Sequence, residues 1–105
     1  MGNNNGNEIA PLAGEAKVKQ LDELHEKFKG NARTEQAKRL LEALRRFPVS
    51  TFEARRHLDI MHPAGRVQEL RDEGHEIDTL RISERSEIGR AHSIAVYVLR
   101  EETRP

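Results

Sequence analysis

Five histidines, at positions 25, 57, 62, 75 and 92, are the first places to look for metal or proton chemistry. None stands at a close ligand spacing such as His-Glu-x-x-His, so each reads as a surface or half-buried side chain. Ser50 is followed three residues later by Glu53, which marks a helix start rather than a nucleophile. The acidic pairs Asp72-Glu73 and Glu101-Glu102 read as solubilising surface. The run GNNNG lies in a polar N-terminal stretch with no strand before it, so it is no phosphate-cradling loop. There is no cysteine, which removes disulfides and thiolate zinc sites. Tyr97 alone is too little aromatic surface for stacking RNA bases on a sheet. These absences predict a protein that is not an enzyme and takes no metal, cofactor or small-molecule ligand.

Hydrogen-bonding recognition remains, and its residue types concentrate in DIMHPAGRVQELRDEGHEI, residues 59–77. Pro63 suits the first helical position, because its missing N–H loses nothing there. Gly74 suits the residue after a helix end. The predicted helix runs from Pro63 to Glu73. At about 100° per residue, Pro63, Val67 and Leu70 share one side and should face a core. Gly65, Gln68, Glu69 and Asp72 lie opposite, flanked by Ala64, Arg66 and Arg71. Gln68 has the donor and acceptor to pair with adenine, and Arg66 those to pair with guanine or phosphate. Gly65 would let a nucleic-acid backbone come close, and His62 could reach a phosphate. Glu69 and Asp72 oppose this unless they pair with Arg66 or Arg71, or accept from cytosine.

A helix can present such groups only if other elements hold it. Residues 14–29 have helical periodicity, with Val18, Leu21, Leu24, His25 and Phe28 on one side and Gly30 as a stop. That helix would pack on its own domain, pair two copies as a homodimer, or remain frayed. Thr34 is placed as the N-cap of a second helix, in which Ala37, Leu40, Leu41 and Leu44 repeat at the amphipathic spacing. It should end near Arg46, ahead of Pro48. Phe47-Pro48-Val49 reads as extended. Ser50-Thr51-Phe52-Glu53 forms a capping box for a two-turn helix over Thr51–Leu58, with Phe52, Ala54 and Leu58 apolar. Asp59 stands where the chain needs a left-handed residue, and Ile60 plugs the core. From residue 75 the period changes to that of strands. Residues 75–82 and 92–99 flank a polar loop and form a hairpin. Ile94, Val96 and Val98 alternate and should face the core. Ile77, Leu80 and Ile82 are out of step, which suggests a bulge.

A hairpin is not stable alone, so it must lie against the helices. The order helix, short extended piece, helix, tight turn, helix, hairpin is that of a winged helix-turn-helix, mainly α with a small antiparallel sheet. ELRDEGHEI is similar to the helix end and wing start of biotin-repressor-type winged-helix domains, with Leu70, Arg71, Gly74 and Ile77 at the matching places. Residues 34–100 as a whole resemble the small winged helix-turn-helix family common in phages and prophages. The resemblance implies a double-stranded DNA-binding protein, a transcriptional regulator or phage accessory factor. An excisionase-like factor would be one case. The helix from Pro63 would read the major groove. The wing would touch backbone or minor groove through Arg81, Arg85, Arg90 and His92. Arg45, Arg46, Arg55 and Arg56 could also meet the backbone.

The chain has 105 residues, of which 35% are apolar and 34% charged, so it suits one modest core. Residues 1–13 and 101–105 read as disordered or frayed tails. Neither a membrane span nor a basic-then-apolar secretory start is visible, which predicts a cytoplasmic protein. Eighteen basic and eighteen acidic side chains cancel. Nucleic-acid binders are usually basic, so the competing expectation is a winged-helix module that binds protein instead of DNA.

Overall fold

The structure is a computed structural model that describes residues 14–85, 89 and 91–100. The expected tails at 1–13 and 101–105 lie outside these residues. Four helices and three strands follow the chain: α1 (Gly14–Lys27), α2 (Arg33–Leu44), β1 (Val49–Ser50), α3 (Thr51–His57), α4 (Pro63–Asp72), β2 (Ile77–Arg85) and β3 (Ala91–Leu99). The strands form one antiparallel sheet in the order β1-β3-β2. The residues around Val49 thus supply the third strand, as the element order requires.

Local signals set most boundaries. The capping box at α3 is complete: Glu53 N donates to Ser50 Oγ (2.9 Å) and Ser50 N donates to Glu53 Oε1 (3.0 Å). Asp59 has φ 54°, the left-handed turn expected of it, and Ile60 is buried behind it. Gly74 has φ 108° and ends the turn after α4. Thr34 is not a cap, because α2 already begins at Arg33, and its N-cap is Ala32 with no side-chain bond.

The core gathers Leu21 and Leu24 from α1, Ala37, Leu40, Ala43 and Leu44 from α2, and Val67 and Leu70 from α4. Phe47, Val49, Ala54, Leu58, Ile60, Ile77 and Tyr97 complete it. Helix α1 therefore packs on its own domain through the side that could otherwise have paired two copies. Leu41 is only partly buried, because Ala43 takes the deeper place beside Leu40. Val67→Ala removes a fully buried side chain. It should cost about 2–3 kcal/mol by lost transfer energy and residual cavity. Urea denaturation measures this, and a neutral result would put the inward side of α4 elsewhere.

Two expectations about the hairpin fail. There is no bulge in the β2–β3 ladder: the register is unbroken from Ile77↔Leu99 to Arg85↔Ala91. Ile77 is out of step with Leu80 and Ile82 because it lies on the other face. Opposed residues in an antiparallel pair share a face. Ile77 therefore goes with Tyr97 and Leu99 toward the helices, while Leu80 and Ile82 go with Val96 and Ile94 away from them. Ile94, Val96 and Val98 thus do not face the main core. β3 has apolar residues in both phases, and pairing of β1 with Tyr97 selects the phase that buries the larger ring. Leu80 (49% exposed), Ile82 (47%) and, from α3, Phe52 (58%) are left on the surface.

Candidate nucleic-acid interface

Helix α4 is held by its inward residues Pro63, Val67 and Leu70, all buried. It packs against α2 and α3. Pro63 occupies its start and His62 is the N-cap, exposed and without a capping bond. Ala64 and Gln68 are exposed, and Gly65 is half-buried. A Cβ added at Gly65 would meet only the Cβ of His62, at 3.9 Å, so the first turn presents bare backbone with open space above it. These four residues lie on the outward side of one helix end, as the spacing predicts.

Arg66 behaves differently from the expected base-reading side chain. It is 8% exposed and turns back along the helix. Its Nε lies 2.9 Å from Glu69 Oε1, and its Nη2 donates to Glu69 Oε2 at 3.0 Å. Nη1 reaches Gln36 Oε1 of α2 at 3.5 Å. Nε makes no hydrogen bond at that distance, so the pair is one charge-assisted hydrogen bond through Nη2 with a close ion-pair contact beside it. It removes most of the objection that Glu69 raised, since both carboxylate oxygens are engaged. Asp72 accepts from Gln68 Nε2 at 3.1 Å. Gln68 still has an acceptor and a second amide hydrogen beyond that bond.

Arg71 is structural in its present position. Its Nε and Nη2 donate to the Ile77 carbonyl (2.9 and 2.6 Å), and Nη2 also donates to Thr79 Oγ1 (3.1 Å). It thereby bolts α4 to the start of β2 and sets the angle between helix and wing. Arg81 is exposed on β2. The side chains of Arg85 and His92, and Arg90 altogether, lie outside the described residues. Arg55 is exposed and donates through Nε to the Met61 carbonyl (3.3 Å), beside the turn that leads into α4. Arg56 stacks over the Phe52 ring, 5.6 Å from its centroid, and Arg45 pairs with Glu42 at 3.1 Å.

Sequence reasoning missed Arg39, the most deeply buried charge. It is fully inaccessible in the middle of α2. Its Nε donates to the Leu58 carbonyl (2.7 Å), and its Nη1 to the carbonyls of Phe28 and Gly30, the latter at 2.9 Å. Those carbonyls lie at the C-terminal ends of α3 and α1, where unpaired acceptors and the negative end of the helix dipole gather. Burial pushes the guanidinium below its ordinary pKa, and the nearby charges of Asp59 and then Glu35 act in the opposite direction. Arginine so placed stays cationic. Nothing in the spacing of α2 marks Arg39, because its partners come from two other helices.

Among the described residues, no group of three or more His, Cys, Asp or Glu is placed to hold a metal ion. No helix among them is long and apolar enough to cross a membrane. The architecture, three helices and a wing hairpin behind a turn that presents α4, is that of a winged helix-turn-helix. Residues 35–102 match the family model for the winged helix-turn-helix domain, and the chain belongs to that family. No curated protein and no solved structure matches the chain. A winged helix-turn-helix is typically a DNA-binding, non-enzymatic module.

Proposed function

We propose that this protein binds double-stranded DNA, with the N-terminal end of α4 in the major groove and the wing beside it on backbone or minor groove. The outward side of the first two turns of α4 carries the reading: His62, Ala64 and Gln68 are exposed around a glycine with open space above it. Arg55, at the turn into α4, and Arg81, on β2 of the wing, add exposed positive charge suited to phosphates. Gln68 is the base-reading side chain, and Arg71 acts by holding the wing at its angle. The resemblance of residues 34–100 to small phage and prophage domains supports a role as a transcriptional regulator or accessory factor. One module of this size gives limited affinity, so action as a dimer or on repeated sites follows. The apolar face around Phe52, Leu80 and Ile82 favours a second reading, a winged helix that binds protein.

An NMR titration of the labelled protein with mixed-sequence duplex DNA, at low and then high salt, separates the two. DNA binding predicts shifts clustered in 62–71 and 81–92 that vanish at high salt, because neutralised phosphates release counterions. Absence of shifts in both conditions, with a range of duplexes, would favour the protein-binding reading.

A further inference from the structure

Taken residue by residue, the outward side of α4 is poorly signed for DNA, with Glu69 and Asp72 against one arginine that is buried. The tertiary structure adds a cation from another helix. Arg33, the first residue of α2, has its Nη1 3.8 Å from Glu69 Oε2, and 76% of its side chain is exposed. Glu69 is already engaged at both oxygens by Arg66 at 2.9 and 3.0 Å. The cluster thus holds two positive charges against one negative. The buried charge is matched at close range, and the surplus positive charge lies on the exposed side chain.

We propose that Arg33 is a phosphate-binding residue of the DNA interface, and that Arg66 serves as a positioning residue by neutralising Glu69 so that Arg33 is available to phosphate. This rests on the DNA-binding reading above. The placement suits the role. Glu69 is six residues beyond Pro63, about 9 Å along the helix axis. An end-on helix in the groove brings the strand backbones, rather than base edges, to that level. At 3.8 Å from an already paired carboxylate, Arg33 gives up little when it turns to a phosphate. Arg66, 8% exposed and held by Glu69 and Gln36, would have to break its bonds to do the same. Asp72 lies further along α4 and is engaged by Gln68, so it faces the cluster from its far side.

The test is fluorescence anisotropy of labelled mixed-sequence duplexes against the full chain over a salt series, for the wild type, Arg33→Ala and Arg33→Lys. Two unrelated duplexes are used. Arg33→Ala should weaken binding several-fold on both alike and reduce the slope of log K against log salt by about 0.9, the loss of one phosphate contact. Arg33→Lys should retain the slope. Because the side chain is exposed, the melting temperature of Arg33→Ala should stay near that of the wild type. A wild type that binds, with an Arg33→Ala slope unchanged, overturns the role of Arg33 and leaves the DNA reading intact. A wild type that binds neither duplex at low salt counts against the DNA reading itself and removes the inference with it.

Discussion

Replacing Arg39 with alanine should destabilise the protein by about 3–5 kcal/mol, the largest effect of any single substitution considered. Three backbone carbonyls, of Phe28, Gly30 and Leu58, lose their donor. The bond to Leu58 is buried, so its acceptor is left unmet at about 1–3 kcal/mol, while those to Phe28 and Gly30 are part-buried and water replaces them in part. The volume of a large side chain is lost as well. In a domain of this size about 1 kcal/mol shifts the melting temperature by about 4–8 °C, so a fall of more than about 12 °C is expected. Arg39→Met separates the two contributions. It fills much of the space and donates nothing, and should recover only the packing part of the loss. If Arg39→Met melts with the wild type, the cost of burying the guanidinium equals what its bonds return. The role of Arg39 as the bolt between α1, α2 and α3 would then fall. The same result bears on α1, whose C-terminal end is tied to the winged-helix core by these bonds to Arg39 as well as by the packing of Leu24 and Phe28.

Ala64→Glu should do the opposite to stability and far more to function. Ala64 is exposed at the second position of α4, so the new carboxylate meets no packed neighbour. A negative charge in the first turn of a helix is favourable by about 0.3–1 kcal/mol. The protein should therefore melt at the same temperature or slightly higher. The carboxylate also stands where the helix would enter a groove walled by phosphates. DNA affinity should fall at least about tenfold, which corresponds to about 1.4 kcal/mol. Binding that weakens while stability holds or rises cannot be ascribed to misfolding. Affinity equal to the wild type, with binding itself established, would show that the N-terminal end of α4 does not enter DNA. The major-groove assignment would have to be withdrawn.

The two predictions differ in how much of their basis is visible in the chain alone. Position 64 is legible, because Pro63 starts a helix and Val67 and Leu70 orient it, and the outward side follows from 3.6-residue geometry. The winged helix-turn-helix order, the capping box at Ser50–Glu53, the left-handed Asp59 and the stop at Gly74 are equally local. Each depends on a few neighbouring residues whose preferences agree, so a linear reading suffices.

What the linear reading lacked is any account of partners brought from elsewhere in the fold. Arg66 looked outward by helical angle alone, yet a long side chain can turn back to Glu69 and toward Gln36 of α2. Arg33 gained its place beside α4 only through the packing of α2. The phase of β3 is misjudged from the chain alone because Ile94, Val96 and Val98 are the more apolar set, yet Tyr97 and Leu99 face the helices. The pairing of Val49 with Tyr97 decided between the two phases. By itself, then, the sequence determined the elements, their order and the helix end that faces outward, since those depend on local backbone preferences and periodicity. Only the tertiary structure decided which of the possible pairs form, which charges are buried and which remain available, because burial and the contacts of Arg33 and Arg39 depend on residues far apart in the chain.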